Sequence, residues 1–378
     1  MAYNGKQPKV ERVNLEQQTS APSNPLVGDL YYQDDTSTLE GGLKIYKDSA
    51  YVPVSFGREN FIINGNFDYW QRGVTIAATS RRFCDRIYST SAFGGTATVS
   101  RQSFTQGAHE LGAVKNPPRY FMRFTQGSVA INLITNVENV RQTAGKSFVL
   151  TFWAKTSSDH TLGLGLYQNF GTGGSPSSDV AVGISTLYGS LSLTSSWQKI
   201  SLKFTCPAID TKTVGTNENS SLQIFFYTNT GTGSRTTDIA QVMMNEGTIA
   251  ADFNYHGGSI ESDLVACEYY FKKSHNVNTA PASASGQGVE MGTGTNTTSN
   301  LIQAIHHGRK MRTTPTITLY DDGGTPGEYF ERTAAGGLTD SITAFSTFVN
   351  THSTFTIAST SGNSRAGFGF AYTLEAEY

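Results

Sequence analysis

At 378 residues the chain can hold about two or three domains, and a formal net charge of −2 with only 15% charged residues excludes the basic face of a nucleic-acid binder and a polybasic membrane signal. Its 39 glycines, 18 tyrosines and 22 phenylalanines favour many short strands and tight turns over long helices. Three distant cysteines, Cys84, Cys206 and Cys267, make no Cys-x-x-Cys pair, and their odd number argues against a disulfide framework, so they read as buried thiols.

Residues 1–23 are polar, carry Pro8 and Pro22, lack a signal-peptide core, and read as an arm that orders on a partner. No run approaches the ~18 apolar residues of a membrane span. Synthesis in a cytoplasm and no membrane insertion are therefore expected, and the sequons at Asn219 and Asn296 carry no meaning. Three short strands are predicted at 29–32, 43–46 and 51–54, in a sheet too small to stand alone.

The stretch 60–88, NFIINGNFDYWQRGVTIAATSRRFCDRIY, organises the rest of the chain. Phe61, Ile62 and Ile63 read as a strand. Asn64-Gly65 reads as a tight turn, because both residues tolerate positive φ. Phe67, Tyr69 and Trp70 then supply core aromatics. Period-2 alternation predicts further strands at 96–101, 120–124, 129–137, 148–155, 162–167, 197–204, 222–227 and 238–244, with a helical turn at 138–141 ended by Gly145. Trp70, Trp153 and Trp197 fall on core positions. Many short strands at close spacing predict an antiparallel jelly-roll sandwich over 58–258.

Residues 259–273 are the strongest helix signal. Glu261 and Asp263 stand in the first turn and Lys272 and Lys273 in the last, with Leu264, Cys267 and Phe271 on one face. This helix, within a bridge at 259–275, leads to a second β-sandwich domain at 276–378, with strands at 301–305, 316–320, 353–357 and 367–374. The alternating tail GFGFAYTLEAEY predicts a paired terminal strand. The fold class is mainly β.

The blocks NFIINGNFDYWQRG, CDRIY, SFVLTFWAK, NFGTGGSPSSDV, SSWQKISLKF and DIAQVMMNEG occur in order. Together they resemble a module of bacteriophage tail-fibre and other virion proteins. LVACEYYFKKS resembles the helix that comes after that module. TPTITLY and FGFAYTLEAEY resemble a closing β-domain, and GDLYYQDDTSTLEGGLKIYKDSAYVPV resembles a short fibre repeat. The family's sandwich is similar to the jelly roll of carbohydrate-binding modules. The resemblance implies a homotrimeric virion protein, located in a tail fibre or on the capsid surface. Residues 1–57 would then attach it to other virion proteins, and its task would be host attachment through a surface glycan. It also implies a candidate structural Ca²⁺ near the first and last strands, where Asn66, Asp68 and Asp238 offer oxygen ligands; turn and edge hydrogen bonds are the alternative reading.

No catalytic constellation is legible. Gly145-Lys146-Ser147 ends like a phosphate loop, but Val140 stands where its first glycine belongs. His306 and His307 are adjacent and face opposite sides of a strand, so one chain cannot chelate with both. Asp85, Glu138, Asp179, Asp238, Glu246 and Asp252 are scattered, whereas glycoside hydrolysis needs two carboxyls a few ångströms apart. Asp85-Arg86 reads as an ion pair. No enzymatic activity is expected. Sugar recognition stacks an exposed aromatic on a pyranose, and the loop aromatics Tyr167, Phe170, Tyr188, Tyr329 and Phe330 are the candidates.

Overall fold

The computed structural model describes residues 17–18, 30–33, 42–47, 50–53, 59–77, 81–89, 97–105, 107, 110–112, 114, 116–126, 130–158, 160–183, 191–228, 235–284, 288–293, 301–306, 308–333, 338–342, 345–350, 354–359 and 365–377. β1 (Gln17–Gln18), β2 (Leu30–Gln33), β3 (Gly42–Lys47) and β4 (Ala50–Pro53) form a four-stranded sheet in that order. The three predicted strands are its last three, and β1 joins them parallel to β2.

The sandwich is built from β5 (Thr75–Ala77), β6 (Thr98–Ser103), β7 (Tyr120–Gln126), β8 (Ile131–Glu138), β9 (Ser147–Thr156) and β10 (His160–Asn169). It continues with β11 (Val180–Ala181), β12 (Leu191–Leu193), β13 (Gln198–Thr205), β14 (Ser221–Thr228) and β15 (Arg235–Glu246). One sheet runs β13-β9-β15-β7-β6-β5. The other runs β11-β10-β14-β8, with β12 also on β10. The pairings nest. β7 pairs with β15, β8 with β14, β9 with β13, and β10 with β11 and β12, all antiparallel. Strands that pair first with last and second with second-last, divided between two sheets, make the jelly roll that the alternation predicts. Phe148, Leu150, Phe152 and Ala154 of β9 enter the core together with Leu162, Leu164 and Leu166 of β10 and Leu222, Ile224 and Phe226 of β14. Each fully buried Leu or Phe contributes about 1.5–3 kcal/mol over exposure.

The 60–88 stretch differs from its sequence reading. Residues 61–63 form no strand. Phe61 N–H donates to the Met244 carbonyl (2.9 Å), and the chain then coils into a knot held by two buried asparagines. Asn60 Nδ2 donates to the carbonyls of Val242 (3.2 Å) and Asn254 (3.0 Å), while its Oδ1 accepts from Ile62 N (2.9 Å) and Met244 N (3.0 Å). Asn64 takes positive φ (58°), as its turn signal predicts; its Nδ2 donates to the carbonyls of Tyr69 (2.9 Å) and Asp85 (3.0 Å). Gly65 is there for room, since a Cβ would collide with the Val242 carbonyl oxygen. A strand exchanges its hydrogen bonds with the strands beside it. Here side-chain amides answer the backbone of several distant segments instead.

The helix is shorter than its signal. α1 spans Ile260–Glu268, with Ser259 Oγ accepting from Ser262 N (3.1 Å) at the N-cap. Residues 271–273, whose sequence suggests a last helical turn, form β16 (Phe271–Lys273) and pair with the terminal strand. The edge of that strand supplies a better partner than another helical turn. It begins a domain made of β17 (Glu290–Thr293), β18 (Leu301–His306), β19 (Thr316–Tyr320), β20 (Tyr329–Thr333), β21 (Leu338–Ile342), β22 (Phe345–Asn350), β23 (Thr354–Ser359) and β24 (Arg365–Glu375). β24 pairs with β16, β17, β19 and β20, while β18, β23 and β22 form a second sheet. Ile305 of β18 packs in one core with Leu319, Tyr329, Phe368 and Phe370, so the two sheets share it.

The three cysteines are free and buried, as expected. Asp85 pairs with Arg72 (3.3 Å) and not with Arg86, whose guanidinium lies 3.5 Å over the Tyr270 ring. Trp70 is in the core, whereas Trp153 and Trp197 are half-buried on the outer side of the six-stranded sheet, beside Phe121.

Candidate aromatic binding face

Strand periodicity sends every second residue of the five-stranded sheet away from the core. On β14 the inward set is Leu222, Ile224 and Phe226, which leaves Gln223, Phe225 and Tyr227 outward and half-buried. On β10 the outward set includes Gly163, Gly165 and Tyr167. Register places Tyr167 beside Gln223, Gly165 beside Phe225, and Gly163 beside Tyr227. On β8 the neighbours are Asn136, Ile134 and Asn132 in the same three rows. Tyr167 and Phe225 meet edge to face, with centroids 5.4 Å apart and planes at 79°. The two glycines leave the middle of β10 without side chains, and both are buried, so the strip beside the rings is covered.

Tyr88 closes the far edge. It exchanges backbone hydrogen bonds with Ile134 (3.0 and 2.8 Å). Its hydroxyl donates to Asn136 Oδ1 (3.1 Å) and accepts from Gln223 Nε2 (3.4 Å). Burial raises the Tyr88 phenol above its ordinary value, so it stays protonated at neutral pH. Four aromatic rings and a set of side-chain amides thus share one sheet face. Chemically this offers apolar ring surfaces for stacking beside neutral donors and acceptors, with no carboxylate or ammonium at its centre.

Of the five predicted aromatics, Tyr167 belongs to this face, although on a strand. Phe170, Tyr329 and Phe330 are buried and offer no ring to a ligand. Phe170 sits where the Gly215 amide donates to its carbonyl (2.7 Å), Tyr329 donates to Glu331 Oε1 (2.6 Å), and Phe330 packs over Gly369. Tyr188 and His307 lie outside the described residues, and His306 is exposed on β18. Phe225, Tyr227 and Tyr88 are not among the residues that sequence reasoning singles out. Their signal is present in SLQIFFYT, where bulky aromatics occupy the outward phase of an amphipathic strand.

The oxygen donors proposed for calcium are not assembled. Both oxygens of Asp238 accept from Arg123, from Nε and Nη2 at 2.7 Å each, with Lys155 at 3.9 Å. Asn66 and Asp68 sit in the knot, where Asn66 Nδ2 donates to the Tyr255 hydroxyl (3.1 Å). Burial raises the Asp68 carboxyl. Asn66 Oδ1 and Asp68 Oδ2 are buried with no protein donor, so these two would suit a cation, but Asp238 would not complete the set. Among the described residues no three His, Cys, Asp or Glu side chains gather at metal-binding distance.

The scattered carboxylates find other partners. Glu138 accepts from Arg312 Nε (2.6 Å) and the Tyr270 hydroxyl (2.5 Å), Glu246 from Lys146 (2.9 Å), and Asp179 from Asn169 Nδ2 (3.1 Å to each oxygen). A cleft of about 520 Å³ opens beside Glu138, between β8 and α1, floored by Phe61, Ile63, Val137, Val265 and Ala266. Among the described residues no helix is long and apolar enough to cross a membrane.

No family model matches the chain, and no curated protein matches it. Among solved structures it is similar to the N-terminal cellulose-binding domain of Cellulomonas fimi β-1,4-glucanase C, at 20% identity over 34% of this chain and 78% of that one, with a TM-score of 0.26. It is similar to the CBM22-1 xylan-binding domain of Paenibacillus barcinonensis Xyn10C, at 11% identity over 47% of this chain and 95% of that one, TM-score 0.27. It is also similar to the enzymatically active domain of bacteriophage CBA120 tailspike protein 4, at 14% identity over 50% of this chain but 21% of that one, TM-score 0.31. Likeness this distant says nothing of function, and the jelly roll rests on the strand pairings themselves.

Proposed function

We propose that the chain is a glycan-binding component of a bacteriophage virion, a fibre or spike subunit that attaches the particle to its host and cleaves nothing. The observation that carries the binding role is the outward file of Tyr167, Phe225 and Tyr227 beside the half-buried amides of Gln223 and Asn132. A pyranose presents an apolar C–H face and a rim of hydroxyls. Rings next to neutral amides answer both. The strands lie about 4.8 Å apart, so Tyr167 and Gln223 in one row, with Phe225 and Tyr227 in the next two, suit a short saccharide laid over β10 and β14. The virion assignment and the homotrimer rest on the ordered sequence blocks that resemble phage fibre modules. Three weak sites on one particle component would bind far more tightly than one.

The test is calorimetric titration of the purified chain with host-surface oligosaccharides, then blocking of phage adsorption with the same protein. Tyr167→Ala/Phe225→Ala/Tyr227→Ala should abolish binding, a loss of about 1 kcal/mol or more per ring, in a variant that still unfolds cooperatively, since the core of the sandwich is untouched. Wild-type affinity retained in the triple variant removes this face from the reading. Release of reducing ends from the glycan would overturn the non-enzymatic role.

A further inference from the structure

The cleft beside α1 carries unused charge. Its mouth holds Arg309 and Lys310, both exposed, and Tyr269, which is 38% exposed at the helix C-cap. The carboxylates around it are Glu59, Glu138 and Glu268. Two of them are neutralised within the fold. Glu138 is held by Arg312 and the Tyr270 hydroxyl, and Glu268 lies 3.6 Å from Lys272. His256 faces the backbone, with Nδ1 2.8 Å from the Asn60 carbonyl oxygen. Against the remaining carboxylate, Glu59, stand two cations for which the described residues supply no partner. Tyr269 meets Tyr270 edge to face at 5.1 Å and 90°, which leaves a ring surface toward the opening. Asn136 lines this cleft and also ends the Tyr167–Gln223–Asn136 row. Asn136 itself is buried, with its Oδ1 on the Tyr88 hydroxyl, so the cleft lies next to the aromatic face across that closed edge, with Tyr167 and Asn136 about 10 Å apart across two strand spacings.

We infer that this cleft is a charged subsite at the end of the aromatic face, taking an anionic sugar unit. Its carboxylate or phosphate pairs with Arg309 and Lys310, and its ring lies against Tyr269. The volume suits one or two sugar units. A guanidinium beside an ammonium recognises an oxyanion with charge-assisted hydrogen bonds, which a neutral sugar cannot return. This rests on the glycan-binding reading above and narrows it to an acidic polymer.

Calorimetry on the full-length protein tests both together. The probes are a trigalacturonate, a phosphorylated oligosaccharide and a neutral trisaccharide, each at low and high salt. The wild type should bind one of the anionic probes at least tenfold more tightly than the neutral one, and the advantage should shrink as salt screens it. Arg309→Gln/Lys310→Gln should remove that advantage and leave neutral binding and the thermal midpoint unchanged, since neither side chain supports the fold. Tyr167→Ala/Phe225→Ala should weaken all binding. Equal affinity for anionic and neutral probes overturns the charged subsite and spares the aromatic face. No binding of any probe overturns both. Which anionic probe binds distinguishes carboxylate from phosphate.

Discussion

Lys273 donates from one buried ammonium to the carbonyls of Gln71 (2.6 Å), Val277 (2.9 Å) and Thr279, tying the knot to the loop after β16. Burial lowers its pKa to about 8. Lys273→Met keeps the stem and strips three carbonyls of their donor. A loss of about 3 kcal/mol is expected, read as a lower urea midpoint at unchanged slope. Asp263 is the opposite case. Its Oδ1 accepts from Asn64 N (2.9 Å), its Oδ2 has no donor, and burial raises its pKa to about 7. The folded state therefore holds a proton that the unfolded chain releases near pH 4, so this group lowers stability as pH rises from about 4 to 7. Asp263→Asn should flatten that slope and raise the midpoint at pH 8 by about 2–4 °C for each ~1 kcal/mol recovered. An unchanged pH profile of thermal unfolding would show that Asp263 is charged in the fold.

At the scale of elements, the strands of the sandwich are legible in the sequence because each buries alternate side chains, and period 2 survives there. The 61–63 segment misleads because FII looks like a buried strand. What decides its conformation is the set of hydrogen bonds from Asn60 to residues nearly 200 positions away, which no local pattern records. The helix signal overruns the helix for a similar reason. Lys272 and Lys273 mimic a helix C-terminus, but the edge of β24 claims them. At the candidate site, Tyr167 is legible as an aromatic near a glycine-rich loop. Phe225 and Tyr227 require knowing which phase of β14 faces out, and that depends on register with β10. Gly65→Ala tests the knot directly. The added methyl meets backbone oxygen that cannot rotate aside, so loss of the cooperative transition, or more than about 3 kcal/mol, is expected. Wild-type stability would mean that the knot and β15 can move apart.

Across the whole molecule, the terminal strand is bolted to the knot. Arg72 reaches Glu377 (3.4 Å) and Glu375 (3.7 Å), and Arg82 reaches the same pair (3.2 and 3.3 Å). Burial alone would raise the Glu377 carboxyl, but Arg72, Arg86 and Arg82 outweigh it and hold the group below its usual range. Its contribution is full above about pH 4.5 and fades as pH falls through the lower folded value. With Asp263 acting in the other sense, stability should peak on the acid side of neutrality, and Glu377→Gln should erase the acid limb. If the subunits trimerise as proposed, light scattering should return three times the 40.8 kDa chain mass. The nested pairing of the sandwich also sets an order in time. β7 has no partner in β15 until that strand has been made, and Arg72 and Arg82 wait for residues roughly 300 positions later, about 15–60 s of synthesis at ordinary ribosomal speed. A nascent chain must therefore carry the open edge of β7 until β15 has been made, and the ion pairs of Arg72 and Arg82 form only after Glu375 and Glu377 have been added.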